Sequence, residues 1–191
     1  MKRCEWCSSS ELYIKYHDLE WGVPVFDDQK HFEFLVIESA QAGLSWITIL
    51  KKRENYRKAY DNFNPQKIAR YGEAKKAKLL SDPGIVRNRL KIEASITNAQ
   101  RFLEIQKEFG SFSNYIWNFT KGKPVVGKWK SLDEIPPKTD LSDKISLDLK
   151  KRGFKFLGSV IMYAHLQATG VINDHLTHCF RYKEIKKMPL K

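Results

Sequence analysis

Cysteine is scarce in this sequence, and three thiols in 191 residues cannot build the disulfide framework of a small secreted domain. Long apolar runs are missing. No stretch of 18 apolar residues occurs, so no membrane-spanning helix and no membrane partner are expected. The segment Met1-Lys2-Arg3-Cys4-Glu5-Trp6 carries no apolar signal region, and a cytoplasmic chain with reduced thiols is expected. Acid is short relative to base. Asp plus Glu total 22 against 34 Lys plus Arg, a net charge of +12. That excess disfavours an acidic scaffold and points to an anionic partner, nucleic acid first. The plainer reading is a generally basic, soluble surface. Repeats, low-complexity tracts and two-residue alternation are also missing. Val125-Val126 is too short to count as a strand, so an all-α fold is expected.

Apolar and aromatic residues are plentiful. Hydrophobic residues make up 42% of the chain, with five Trp, eight Tyr and eleven Phe, enough for one compact core. Asp27 or Asp28 caps a helix running to about Ser39. Ser45 caps the next, in which Trp46, Ile49, Leu50, Arg53, Tyr56 and Tyr60 follow helical spacing. Asn64-Pro65 is a cap followed by Pro at the first helical position. A short helix through Ala74, Ala77 and Leu80 ends at Ser81-Asp82-Pro83-Gly84, and a longer one follows with Ile92, Ile96, Ala99 and Leu103 on one face. Ser113 caps a short aromatic helix. The residues from 120 to 139 read as a long loop. Asp140 starts a helix that Gly153 closes after Lys150-Lys151-Arg152, and a last helix spans about Phe156 to Thr169.

Glu38 is the residue that most demands explanation. It ends the stretch Phe32-Glu33-Phe34-Leu35-Val36-Ile37-Glu38, apolar nearly all round as a buried helix is. A carboxylate there is costly unless it is paired or working. A Gly-containing turn and Trp46 follow at once. Trp6, Tyr13, Tyr16, Trp21 and Trp46 are each, taken singly, ordinary core residues. Together with Glu38 they can wall a pocket for a flat polar ligand.

Two further constellations stand out. The hairpin Leu79-Leu80-Ser81-Asp82-Pro83-Gly84-Ile85-Val86-Arg87 joins two helices by a tight turn. Gly84 permits close backbone approach, and Arg87, Arg89 and Lys91 follow. That suits a phosphate, and it looks like the helix-hairpin-helix element of DNA-repair proteins. An ordinary turn is the competing reading. At the two chain ends lie Cys4, His17, His175 and Cys179, two thiols and two imidazoles suited to a closed tetrahedral zinc site. Spacing leaves the ligand choice open, because Cys4 and Cys7 form a C-x-x-C pair and His178 adjoins Cys179.

The chain resembles the bacterial 3-methyladenine DNA glycosylase I family. The resemblance rests on Met1-Lys2-Arg3-Cys4-x-Trp6, on Tyr13-Ile14-x-Tyr16-His17-Asp18-x-Glu20-Trp21-Gly22-Val23-Pro24 and on Gln41-Ala42-Gly43-Leu44-Ser45-Trp46-Ile47-Thr48. It continues in Leu50-Lys51-Lys52-Arg53-Glu54-Asn55-Tyr56-Arg57, Lys150-Lys151-Arg152-Gly153-Phe154-Lys155-Phe156 and Asn173-Asp174-His175. The tail after Cys179 matches least well. The resemblance implies one all-α unit over 1–191, with a helix-hairpin-helix region near 65–110. Structural zinc would tie the segments 1–30 and 170–185 together. It implies Cys4, His17, His175 and Cys179 as the ligands, not Cys7 or His178, and leaves His31 and His165 structural. The base pocket falls on Glu38, Tyr16 and Trp46 with Tyr13, Trp6 and Trp21 nearby. The turn through Gln41, Gly43 and Leu44 matches the family's probe into the gap left by an extruded nucleotide. The implied partner is alkylated double-stranded DNA, the product free 3-methyladenine, and the chain a monomer. Relatives in the wider superfamily carry an Asp beyond the hairpin, whereas Asn98-Ala99-Gln100-Arg101-Phe102-Leu103 holds none. Lyase relatives carry a hairpin-helix Lys, and Asp82 to Leu90 has none. Hydrolysis without strand cleavage is therefore expected. Two other classes compete: a non-catalytic zinc-stapled DNA-binding module, and a small-molecule enzyme using Glu38 as a base.

Overall fold

Side-chain caps set most of the helix boundaries. In this computed structural model, which describes residues 1–190, Asp27 accepts from the Lys30 N–H at the start of α2 (Asp28–Gln41). Asn64 does the same for Lys67 ahead of Pro65 in α4 (Pro65–Ile68). Each cap satisfies one of the donors a helix start leaves orphaned, worth about 1 kcal/mol. α8 (Asp140–Lys151) begins with a reciprocal Thr139–Ser142 capping box. It ends where Gly153 N–H reaches Lys150 O and Phe154 N–H reaches Leu149 O, the paired closure expected of a Gly stop.

The remaining helices are α1 (Glu11–Leu19), α3 (Trp46–Ala59), α5 (Glu73–Ser81), α6 (Arg89–Phe109), α7 (Phe112–Asn118), α9 (Ser159–Ala168) and α10 (Phe180–Lys186). α2 lies at the centre, packed against α3, α6, α7 and α9. Phe32, Phe34, Leu35, Val36 and Ile37 on it are all buried, each worth roughly 1.5–3 kcal/mol of transfer free energy. That apolar frame is what holds a carboxylate such as Glu38 inside the protein.

Several sequence expectations need correction. Val125–Val126 is a strand after all, paired in parallel with Ile172–Asn173. Two residues give no periodicity to read, and the pairing joins segments 47 apart. Ser111, not Ser113, caps α7 by accepting from the Asn114 N–H. α9 starts at Ser159 rather than Phe156, because Phe156 has φ +57°, outside the right-handed helical region. The longer helix starts at Arg89, capped by Asn88, five residues past Gly84. α8 and α9 form a second helical hairpin that the sequence reading passed over. Its turn is clasped by α6, where Asn98 donates to Lys155 O at 2.9 Å and accepts from Lys155 N–H at 2.8 Å. No helix among the described residues is long and apolar enough to cross a membrane.

Candidate active site

Two buried carboxylates sit five positions apart on α2, and their surroundings separate their roles. Glu33 is 3% exposed and saturated, accepting from Arg53 Nε at 2.7 Å, Arg57 at 2.9 Å and Lys30 Nζ at 3.1 Å. Glu38 is 4% exposed and receives no such donor among the described residues. Burial pushes its carboxyl up from 4.5 to about 8, with the Arg53 charge pulling the other way. A buried acid that lacks protein partners and faces a cavity is a mark of a functional site.

That cavity encloses about 370 Å³ and is lined by Glu38, Trp6, Tyr13, Tyr16, Trp21 and Trp46, with Gln41 at its edge. The size suits a small flat ligand. All six pocket residues expected from the sequence thus come together. Tyr16 and Trp46 lie 5.7 Å apart with planes tilted by 53°. Trp6 meets Tyr13 at 5.4 Å and Trp21 at 5.1 Å, both edge to face. Such edge contacts fix the rings in place. Burial, reinforced by the Glu38 charge, holds the Tyr16 hydroxyl well above 10, so at neutral pH it is a donor.

The opposite wall was missed. Val160, Ala164 and Gln167 of α9 also line the cavity. Their i, i+4, i+7 spacing puts them on one helix face, the one signal that could have marked them. Nothing in their chemistry separates that face from ordinary core.

The four expected metal ligands converge. Sγ of Cys4 and Cys179 and one ring nitrogen each of His17 and His175 lie within 4.8 Å of one another, all four residues buried. Cys179 Sγ is 3.4 Å from His17 Nε2 and 3.6 Å from His175 Nδ1. The contact between the thiols pushes Cys4 up and pulls Cys179 down. The outer ring nitrogens are oriented too: His17 Nδ1 meets Asp18 at 2.7 Å and His175 Nε2 meets the Trp21 carbonyl at 3.0 Å. Such partners fix the tautomer that leaves the inner nitrogen free to ligate. Cys7 points away, its thiol donating to Cys4 O at 3.1 Å, and His178 pairs with Glu5 at 3.3 Å on the surface. These four residues could hold a metal ion. His31 and His165 form a separate buried pair, Nδ1 to Nε2 3.2 Å.

The expected DNA surface comes out differently. In the turn after α2, Gln41 Nε2 donates to Leu44 O at 2.6 Å, Gly43 has φ +82°, and Leu44 is 39% exposed. Arg87 and Arg89 are exposed. Gly84 and Lys91, however, are occupied inside the protein. Gly84 N–H donates to Asp82 Oδ1 at 2.7 Å and Val86 N–H to Tyr56 Oη at 3.1 Å. A Cβ on Gly84 would meet Asn55 Cβ of α3 at 3.0 Å. The close approach is to a neighbouring helix, and two of the turn's N–H groups are spent internally. Lys91 Nζ donates to Ala40 O at 2.9 Å and Ala42 O at 2.7 Å. It caps the end of the helix that carries Glu38 and straps α6 to the Leu44 turn.

Comparison with known proteins agrees with this geometry. A family model described as methyladenine glycosylase matches residues 6–182. DNA-3-methyladenine glycosylase 1 of Escherichia coli K12 is 48% identical over 182 residues, covering 95% of this chain and 97% of its own. The structure of 3-methyladenine DNA glycosylase I from Staphylococcus aureus superposes with a TM-score of 0.90 at 38% identity, over 94% of this chain and 96% of that one. A variant of 3-methyladenine DNA glycosylase I solved in complex with 3-methyladenine gives a TM-score of 0.92 at 36% identity, with both chains covered in full. With a family model spanning nearly its whole length and relatives this similar in both sequence and fold, the chain belongs to the methyladenine glycosylase family.

Proposed function

We propose that this protein is a base-excision repair enzyme that hydrolyses the bond between sugar and 3-methyladenine in alkylated DNA and leaves an abasic site. The observation that carries this reading is Glu38, a buried carboxyl with no hydrogen-bond partner among the described residues, in an aromatic cavity. Methylation at N3 makes the adenine of the nucleoside a cation, which leaves as a neutral base and needs no general acid. The protein's work is to extrude the nucleotide, hold the base and admit water to the sugar carbon. The rings of Tyr16, Trp46, Trp6 and Tyr13 attract a cation at roughly 0.5–2 kcal/mol per desolvated contact. Glu38 complements its charge once ionised. Unmethylated adenine lacks both the charge and the weakened bond.

The Gln41–Leu44 turn serves as the wedge that fills the gap in the stack, with Leu44 at its tip. The grip on DNA is electrostatic, through the side chains of Arg87 and Arg89, while Gly84 and Lys91 hold the hairpin and wedge in register. The α8–α9 hairpin competes for that role, because the start of α9 carries no side-chain cap and Lys155 stands beside it. The metal is zinc. Two thiols and two imidazoles at this spacing are its structural donor set, with no open position for chemistry. It holds the chain ends together.

Release of free 3-methyladenine from methylated duplex DNA, with the strand left intact, tests the proposal. Protein-dependent nicking trapped by borohydride would show a lyase instead. DNA binding with no base release would show the non-catalytic module.

A further inference from the structure

Asp174 is 2% exposed, yet the reaction outlined above does not use it. Its carboxylate gathers three donors. Trp129 Nε1 reaches Oδ1 at 2.7 Å, and the Tyr163 hydroxyl and Gln167 Nε2 reach Oδ2, the latter at 2.9 Å. The Gln167 contact sets an orientation. A carboxylate accepts and an amide carries one donating and one accepting end, so the NH₂ of Gln167 must face Asp174. Its carbonyl oxygen takes no hydrogen bond among the described residues, and it is not a sealed orphan. Gln167 lines the same cavity as Glu38, from α9 rather than α2.

The cavity therefore presents acceptors from two walls: Glu38, once ionised, and, we infer, the Asp174-locked carbonyl of Gln167, which makes Gln167 a specificity-determining residue selecting a 6-aminopurine over a 6-oxopurine. An exocyclic amino group donates to such an acceptor. A 6-oxo group opposes it lone pair to lone pair, and the amide cannot turn over to help. Rotation would leave Asp174 facing a carbonyl, with a buried carboxylate stripped of a donor. Specificity of this kind comes from a site that cannot re-pair with the wrong partner. The inference rests on the excision reading above and adds discrimination between methylated purines to it.

The test is competitive within one substrate. Methylated duplex DNA carries both 3-methyladenine and 3-methylguanine, and both released bases are quantified from the same reaction. Wild type should favour 3-methyladenine. Gln167→Met keeps the length and removes the acceptor. It should lower kcat/KM for 3-methyladenine about tenfold, the equivalent of one charge-assisted hydrogen bond. The value for 3-methylguanine should not fall, and should rise as the lone-pair opposition is relieved. Equal falls for the two bases would reduce Gln167 to a shaping residue, and no change in either would show that its carbonyl faces elsewhere; both overturn the inference. Should Gln167→Met fail to fold, Glu38→Gln supplies the second measurement. With the carboxylate gone, residual preference for free 3-methyladenine over its 6-oxo counterpart, read by tryptophan quenching, should remain. Loss of all preference in that variant would overturn the proposal. Wild type releasing neither base would instead refute the excision reading itself.

Discussion

Replacing Glu38 by Gln should make the protein more stable and less capable, and the size of the gain should depend on pH. Burial raises the carboxyl from 4.5 to about 8. At 1.36 kcal/mol per pKa unit, that rise is equivalent to about 5 kcal/mol of folding free energy, lost once the group is fully ionised. The sign follows from proton counting. Between the two values the unfolded chain has released its proton and the folded chain still holds one. Stability contributed by this group therefore falls as pH rises. The loss is absent below about pH 4.5, reaches about 3 kcal/mol at pH 7 and is complete above about pH 8. The amide of the Glu38→Gln variant never ionises and escapes it.

Urea unfolding of both proteins at pH 5, 7 and 9 isolates the effect, because every other titrating group is common to the two. The stability gap should widen from under about 1 kcal/mol at pH 5 to about 5 kcal/mol at pH 9, favouring Glu38→Gln. Excision of 3-methyladenine by the variant should be at least about tenfold slower, since the cationic base still attached to the sugar is what rewards an ionised Glu38. A gap that stays flat across pH, or a variant less stable than wild type throughout, would refute the assignment of Glu38 as an unpaired, desolvated acid. The expected pattern is the trade between stability and activity that strained sites show.

Elemental analysis should find about one zinc per chain, as expected of a closed four-ligand site. Cys4→Ser or Cys179→Ser should lower the melting temperature, and Cys7→Ser should not; full zinc in the Cys4→Ser/Cys179→Ser double variant would sink the ligand set. Arg89→Ala should weaken binding to damaged and undamaged duplexes alike and cut the slope of log affinity against log salt by roughly one unit. A slope that moves only with Lys155→Ala would transfer the grip to the α8–α9 hairpin. Lys91→Met should spare free-base affinity while slowing excision from duplex DNA, as Leu44→Ala should; a Lys91→Met effect confined to melting temperature would make the strap purely structural.

How far the sequence could be read varies with the range of the interaction behind each feature. Helices α2, α4 and α8 were legible because Asp27, Asn64 and Gly153 act on their own neighbours. Glu38 was legible because an acid in an apolar run is locally costly wherever it ends up. The α9 wall was not, since Val160, Ala164 and Gln167 become pocket residues only through packing against α2. Lys91 shows the same limit from the other side. A basic residue after a hairpin reads as a phosphate ligand, and only the fold reveals that the carbonyls of Ala40 and Ala42 claim it first. The Val125–Ile172 pairing was illegible for the same reason, two residues matched across 47.

The Cys–His cluster and the aromatic cavity are physically one structure. Trp6 lies two residues after Cys4 of that cluster, and Tyr16 directly precedes its His17. Trp21 stacks edge-on against His175 of the cluster at 4.6 Å, and its carbonyl accepts from that ring's far nitrogen at 3.0 Å. With Tyr13, four of the pocket's five aromatic residues thus come from an N-terminal segment whose own regular structure is one 3-10 turn and one nine-residue helix. Helices that short are marginal alone. Their position has to be imposed from outside, and a Cys–His cluster that also takes in His175 and Cys179 would impose it rigidly once it held a metal. Glu38 lines the same cavity from the best-buried helix of the fold. The hydrophobic core thus holds the part of the cavity that carries Glu38, and the Cys–His cluster adjoins the part that carries the aromatics, so a site with little catalytic machinery can still be held to a fixed width.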